Sequence, residues 1–360
     1  MKCLSLDYRS AGVTGRQKFA MTNRLNELLY RKFSFVGGCV AIVTCGRSEF
    51  YFTCTREHAE SILQSVFGES TELFRFYGEG LALQHLFELA AGLCSMLVGE
   101  DEILGQVRDG YEAARKSGMT ERWDAVFQAA IACGKKVRSC TGISSLACSL
   151  ATLAANAVFA FKRGYKKVLL IGATGKIGGS VLKNLAVGKN VDLFATLRTH
   201  AFEAEAEGVQ RIPYEERYDM LNEADCIVCA TASPHTVLQA EEVKNSLHVL
   251  KPRLFIDLAV PPDIDAGVAD IAGCTLLGID GFRAKAEENN RKKQNAIQEA
   301  RVIVDECVAE FLADDSARRN AKRIAELDEA ARRALYAMRK SDPKKFIREM
   351  DQWGEFGTEK

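Results

Sequence analysis

With 360 residues, 47% of them hydrophobic, the chain is long enough for two or three domains that each bury a core. Lysine plus arginine equals aspartate plus glutamate at 48 each, so bulk electrostatics give no argument for a nucleic-acid partner, and any such surface must be a local patch. No run of about twenty uncharged apolar residues occurs, Met1 to Ser10 already carries charge, and twelve cysteines are too dilute for a disulfide scaffold; membrane and secreted classes are excluded and a reducing, cytoplasmic setting is expected.

In chain order, residues 1 to about 80 mix β-rich runs at Cys39 to Thr44 and Phe50 to Thr55 with helical spacing near Arg16 to Arg31 and His58 to Phe67, the pattern of an α+β unit. From about Leu81 to Lys162 the apolar residues recur at helical spacing, interrupted by Gly118 and by Gly142-Ile143-Ser144-Ser145, a turn with a helix cap. Strands then alternate with helices: Lys166 to Ile171, Val191 to Ala195, Cys226 to Ala230 and Leu254 to Leu258 predict a parallel sheet of the nucleotide-binding kind. After Gly281 the chain is charged and helical to about Arg339, with Ile297, Val304, Val308 and Phe311 on one face. So little chain follows this stripe that a symmetric homodimer through the tail is expected. The fold class is thus α/β multidomain: an α+β unit over 1–150 ending in a connecting helix, a Rossmann-like unit over 151–281, and a shortened helical dimerisation tail over 282–360.

The nucleotide signal rests on Val168-Leu169-Leu170-Ile171 running into Gly172-Ala173-Thr174-Gly175-Lys176-Ile177-Gly178-Gly179, a strand, a turn and a helix start. Gly172 allows the tight turn, Gly175 lets the backbone approach a pyrophosphate, Gly178 lets helix and strand pack closely, and the helix N-terminus holds the anion. A glycine-rich turn that binds nothing is the plainer alternative. At the end of the second strand, Arg198 between Thr196 and Thr199 suits a 2′-phosphate, while Asp192 lies too early to take a ribose hydroxyl, so NADPH is favoured over NADH. A solvated loop arginine is the competing account.

Among the cysteines, Cys226 and Cys229 have a tempting spacing but fall in a strand, where positions three apart face opposite ways. Cys133, Cys140 and Cys148 read as small buried hydrophobes, and none of the five histidines is paired at ligand spacing, so no metal is expected. Cys45 differs. It ends an apolar strand and is followed by glycine, arginine and a hydroxyl in Thr44-Cys45-Gly46-Arg47-Ser48-Glu49, an electropositive turn of the kind that lowers a thiol pKa and frees a nucleophile. Inert burial is the ordinary alternative.

That hexapeptide resembles the Thr-Cys-Asn-Arg-Thr-Glu active-site motif of glutamyl-tRNA reductases, and His85 to Val107, with Gly92, Ser95, Gly99, Glu100, Gly105 and Gln106, is similar to the most characteristic stretch of that family. Gly134-Lys135-Lys136-Val137-Arg138 with Thr141-Gly142-Ile143, Thr231-Ala232-Ser233-Pro234 and Asp257-Leu258-Ala259-Val260-Pro261 are similar too, and the resemblance runs to about Leu312. It implies that Cys45 attacks the ester joining glutamate to tRNA, leaving a thioester that NADPH reduces to glutamate-1-semialdehyde, a tetrapyrrole precursor. It further implies Arg47 as a bidentate carboxylate clamp, His85 as an aid to ester cleavage, and Thr44, Ser48, Ser10, Ser95, Glu100 and Gln106 in the substrate site. Gly172, Ala173, Thr174, Gly175, Lys176, Ile177, Gly178, Arg198, Thr199 and Thr231 would hold the cofactor. Glutamyl-tRNA is the implied partner, with a glutamate-1-semialdehyde aminotransferase as a possible second.

The sequence departs from the family pattern at Gly46 (asparagine), Cys94 (aspartate), Asp7-Tyr8 (Asn-His), Ala11-Gly12 (Ala-Pro) and Ala173-Thr174-Gly175 (Ala-Gly-Glu). A paralogue reducing another carrier-bound acid, and a non-catalytic binder of NADP or tetrapyrrole, are the alternatives these changes leave.

Overall fold

The computed structural model describes residues 1–100, 102–119, 123–144, 149–162, 164–188, 190–197 and 208–355. The N-terminal unit is built on an antiparallel sheet of β1 (Lys2–Asp7), β2 (Cys39–Thr44), β3 (Arg47–Phe52) and β4 (Arg75–Tyr77), in the order β2-β3-β1-β4. Side chains alternate across it. Cys3, Val40, Ile42 and Tyr51 enter one core, whereas Leu4, Leu6, Ala41, Phe50 and Phe52 enter another, so both faces are buried. The second face is covered by α2 (Asn23–Phe33) and α3 (Arg56–Phe67), the first by α4 (Glu79–Ala90), α5 (Glu102–Lys116) and α6 (Asp124–Cys140), while the short α1 (Val13–Gln17) turns Val13 toward the core of the second unit.

Three expectations shift here. The helix anticipated from Arg16 to Arg31 is two, because Thr22 takes extended geometry and caps α2 by accepting from the Leu25 N–H. The strand anticipated at Phe50 to Thr55 begins at Arg47, since Arg47 and Glu49 neutralise each other inside the sheet and are read as polar by any hydropathy pattern. Strands β1 and β4 were not anticipated at all.

Helix α7 (Leu150–Phe161) leads into the second unit and packs on α8 (Lys176–Ala186), sharing a core with β5 (Lys166–Ile171), β6 (Val191–Leu197), β8 (Cys226–Cys229) and β9 (Arg253–Asp257). With β7 (Val209–Pro213) and β10 (Cys274–Gly278) these strands form one six-stranded parallel sheet, ordered β10-β9-β8-β5-β6-β7. The order reverses between β5 and β8, which opens a crevice above their carboxyl ends. A short helix α9 (Ala240–Ser246) precedes β9, and a 3-10 turn, Ile279–Phe282, follows β10.

The tail corrects the dimer argument. Helix α10 (Arg283–Lys292) leads to α11 (Gln294–Arg319), which lies against α4 and α6. Ile297, Ala300, Val304 and Cys307 are buried in the N-terminal core, with Val308 and Phe311 packed beside them and the Phe311 ring 6.0 Å from Phe87. The apolar face on which the dimer expectation rested is therefore covered within one chain. The expected continuous helix also breaks at Asn320, Leu327 and Asp342 into α12 (Ala321–Glu326), α13 (Glu329–Ser341) and α14 (Pro343–Glu355), whose Ile324, Leu335, Phe346 and Met350 close a small core on α11.

Candidate active site

Cys45 and Gly46 are the two residues of the β2–β3 hairpin turn, between the paired residues Thr44 and Arg47. The turn is held from both sides: Gly46 N–H donates to Thr44 Oγ1 at 3.2 Å, and Arg16 Nε donates to the Cys45 carbonyl at 3.2 Å. A cavity of about 50 Å³ adjoins the thiol, lined by Thr44, Cys45 and Arg47 with Ser95, Glu100 and Gln106, all six anticipated. Tyr8, Arg16, Gly46, Glu102, Met96, Leu97, Leu150 and Ile279 complete the wall. The last two belong to the core of the nucleotide unit.

The electrostatics differ from the expected electropositive turn. Burial, then the carboxylates of Glu100 and Glu102, push the Cys45 thiol up to about 12, and Arg16 offsets this only in part. Burial and the nearby Glu102 likewise raise Glu100 to about 7, although Ser95 and Arg47 pull the other way. The Ser95 hydroxyl is buried beside Glu100 without a hydrogen-bond partner of ordinary geometry among the described residues. A substrate group entering the cavity therefore meets a hydroxyl beside a carboxyl poised to change charge near neutrality.

Arg47 does not stand ready as a carboxylate clamp. It is 3% exposed, with Nη1 donating to Glu49 Oε1 at 2.7 Å and Nη2 to the Cys94 carbonyl at 2.6 Å. Glu49, fully buried, also accepts from Tyr51 Oη at 2.7 Å and Ser5 Oγ at 3.2 Å and lies 3.1 Å from His85 Nε2. Burial alone would raise its carboxyl, but His85 and Arg47 hold it well below the usual carboxylate range. Burial would correspondingly lower His85, yet Glu49 holds its imidazole well above the ordinary value. The ring is stacked on Tyr77 at 4.3 Å and does not line the Cys45 cavity. His85 is thus part of a buried Arg47–Glu49–His85 network behind the cysteine, a correction to its expected place beside the ester. Cys3 with Glu49 and His85 is the one group of three metal-capable side chains found among the described residues, with Glu49 and His85 already committed to this network.

Two further expectations move. Ser48 alternates onto the opposite face of β3 with Phe50 and Phe52. Ser10 is spent in a turn, its Oγ accepting from Asp7 N–H at 3.1 Å and donating to the Asp7 carbonyl at 3.2 Å.

At the crevice of the parallel sheet, a cavity of about 660 Å³ is lined by Gly172, Thr174, Gly175, Thr196, Tyr214 and the turn from Ala230 to Val237, including Thr231. The glycine roles are visible as space: a Cβ on Gly172, whose φ is +90°, would lie 2.6 Å from the Ala230 carbonyl, and one on Gly178 would lie 2.0 Å from the Gly172 carbonyl. Gly175 is the N-cap of α8 and, among the described residues, no side chain caps that terminus, so the N–H groups of the first helical turn are available to an anion. Thr231 is fixed by Asp263, which accepts from its N–H at 2.7 Å and its hydroxyl at 2.5 Å. Ala173 faces the core and Ile177 packs on it, so these two shape the loop from within. The Lys176 ammonium reaches α5, 3.5 Å from where a Cβ on Gly105 would stand. Arg198 and Thr199 lie outside the described residues.

Two family profiles divide the chain: "Glutamyl-tRNAGlu reductase, N-terminal domain" matches residues 4–141, and "Shikimate / quinate 5-dehydrogenase" matches 153–284. The glutamyl-tRNA reductase of Clostridium perfringens (strain 13 / Type A) is 31% identical over 283 residues, covering 76% of this chain and 69% of that protein. The chain belongs to the glutamyl-tRNA reductase family. The Methanothrix thermoacetophila glutamyl-tRNA reductase is 34% identical over 280 residues, 74% of this chain and 66% of that protein. A solved glutamyl-tRNA reductase from Methanopyrus kandleri, 26% identical, aligns over 97% of this chain and 98% of that one with a TM-score of 0.47.

Two of the departures noted in the sequence, Cys94 and Asp7, lie beside the network behind Cys45. Cys94, where the family has aspartate, places sulfur 3.8 Å from His85 Nδ1. Asp7 forms an ion pair with Arg9, which donates to it from Nε at 2.8 Å and from its own N–H at 2.9 Å. Arg16 and Glu102 escaped the sequence reading. Arg16 is 1% exposed on a five-residue helix, and neither hydropathy nor spacing distinguishes such an arginine from a solvated one.

Proposed function

We propose that this chain reduces glutamyl-tRNA to glutamate-1-semialdehyde with NADPH, through a thioester on Cys45, in the supply of tetrapyrrole precursors. The observation that carries the proposal is Cys45 in a hairpin turn whose cavity is walled by Ile279 of a unit that also presents an uncapped, glycine-lined helix N-terminus. In acyl transfer the Cys45 sulfur bonds to the ester carbonyl carbon, the bond to the tRNA oxygen breaks, and the thiol proton passes by way of Glu100 to that leaving oxygen. A carboxyl with pKa about 7 is suited to accept and return a proton at neutral pH. Ser95 donates to the polar substrate group, and Arg47, through Glu49 and the Cys94 carbonyl, stiffens the turn. Gly172, Gly175, Thr196 and Thr231 would hold NADPH, with Arg198 proposed for its 2′-phosphate, and the cofactor would supply hydride to the thioester carbonyl carbon; the Cys45 sulfur would depart as thiolate and take back a proton.

The occupied fork of Arg47 favours a second reading, a paralogue that keeps this chemistry for a different carrier-bound acid. A charging-specificity assay separates them: tRNA carrying glutamate is reduced to an aldehyde and tRNA carrying other amino acids is not. NADPH should be preferred to NADH by about tenfold, about 1.4 kcal/mol, and equal turnover with both would contradict the role given to Arg198.

A further inference from the structure

The Cys45 cavity, about 50 Å³, has room for a water or two and not for a glutamyl ester. What closes it is the nucleotide unit, through Leu150 and Ile279. The residue after Ile279 is Asp280, and its carboxylate spans the two units. Oδ1 accepts from Arg16 Nη2 at 3.2 Å, and Oδ2 accepts from the Val13 N–H at the start of α1 at 3.1 Å. Arg16 in turn donates to the Ala11 carbonyl at 2.6 Å and, through Nε, to the carbonyl of Cys45 itself. A continuous path of hydrogen bonds therefore runs from the end of β10 to the backbone of the cysteine.

We infer that Asp280 is a positioning residue: with Arg16 and the Val13 N–H it latches the nucleotide unit over Cys45, opening for acyl transfer and closing for reduction. The closed state leaves no room for the ester, so the latch must release before tRNA delivers its glutamyl group. The same closed state brings the unit that holds the cofactor against the sulfur, so the latch must be engaged for reduction. Its strength suits both. The Asp280 carboxylate is 46% exposed, and a half-exposed ion pair is weak enough to break and reform thermally. The part of this inference that concerns reduction rests on the thioester reading above; the part that concerns access to Cys45 does not.

The test uses the full chain and two variants. Asp280→Ala removes a half-exposed side chain, and Val13→Pro removes the N–H while keeping an apolar side chain against the core, at a first helical position where proline is accepted and after Gly12, already extended at φ −66° and ψ 177°. Without any nucleotide, Cys45 is alkylated by iodoacetamide and by a bulky N-aryl iodoacetamide, with the modified peptide quantified. Ionisation of the thiol changes both rates alike, so their ratio reads access alone. The bulky-to-small ratio should rise about fivefold or more in both variants. With glutamyl-tRNA, thioester formation should stay within about threefold of the parent or quicken, whereas single-turnover reduction of the preformed thioester should fall about tenfold, with NADPH affinity unchanged. Asp280→Glu should recover part of the reduction rate. An unchanged ratio in both folded variants, or acylation and reduction falling together, would overturn the latch. If the parent forms no thioester, the proposed function fails, and the alkylation ratio still decides whether the latch exists.

Discussion

Replacing Glu49 by leucine should be among the most damaging single changes in the N-terminal unit, and the structure shows why. Glu49 is fully buried, accepts hydrogen bonds from Arg47, Tyr51 and Ser5, and lies against His85. Leucine would leave the Arg47 guanidinium, 3% exposed, with only the Cys94 carbonyl, and would strip His85 of the partner that keeps it protonated. Removing one side of a buried ion pair costs about 3–5 kcal/mol, because an uncompensated charge stays in a poorly polarisable interior. At roughly 2–4 °C per kcal/mol for a unit of this size, calorimetry should show its transition lowered by about 6–20 °C. Glu49→Gln, which keeps acceptor capacity, should cost less.

The pH dependence gives an independent check. Glu49 is held below its ordinary value of 4.5, so its contribution is present above that value and lost as the pH falls through the lower folded value. His85 is held above its ordinary 6.5, so its contribution is present below 6.5 and lost only as the pH rises through the higher folded value. These are two views of one interaction and count once. The parent should lose stability on acidification below about pH 4.5 more steeply than Glu49→Gln. A loss under about 1 kcal/mol in Glu49→Leu, with an unchanged acid limb, would refute the view that this network holds the hairpin.

Three further outcomes are expected. Thioester formation should rise with pH to a plateau with a midpoint near 7, and Glu100→Gln should flatten that profile and slow the step about a hundredfold; a retained midpoint would assign the proton to another group. Gly178→Ala, whose Cβ would meet the Gly172 carbonyl at 2.0 Å, should weaken NADPH binding by about tenfold or more in a fluorescence titration, and unchanged affinity would move the cofactor elsewhere. Val304→Arg should destabilise the N-terminal unit by about 3 kcal/mol or more without changing the particle mass by light scattering, since Val304 is buried against its own chain; a mass halved at intact stability would make the stripe an interface between copies.

How much of this was legible beforehand divides along physical lines. The strand, turn and helix around Gly172 were readable because backbone sterics dictate glycine there, whatever the tertiary setting. The cavity members Thr44, Ser95, Glu100 and Gln106 were readable only through resemblance, as nothing in their local pattern separates a pocket from a cap. Arg47 and His85 were misplaced for one reason: a buried ion pair looks in sequence like two polar residues at a site, and only the fold shows that each is satisfied by Glu49. The tail was misread because an apolar stripe says that something covers it and not what; α11 is covered by α4 and α6, some two hundred residues away in sequence. The Asp280 latch was invisible on similar grounds, joining positions 264 residues apart by a side chain that is commonplace on any turn.

The central claim is that Cys45 is the acyl carrier, with eleven other cysteines as competitors. The most direct measurement is a peptide-level mass spectrum of the protein mixed with glutamyl-tRNA and no NADPH. A glutamyl adduct should appear on the peptide spanning Thr44 to Glu49, be released by hydroxylamine, and be absent from Cys45→Ser, which should fold normally yet be unable to reduce the substrate. An adduct on Cys94, whose sulfur lies 3.8 Å from His85, or full activity in Cys45→Ser, would contradict the account.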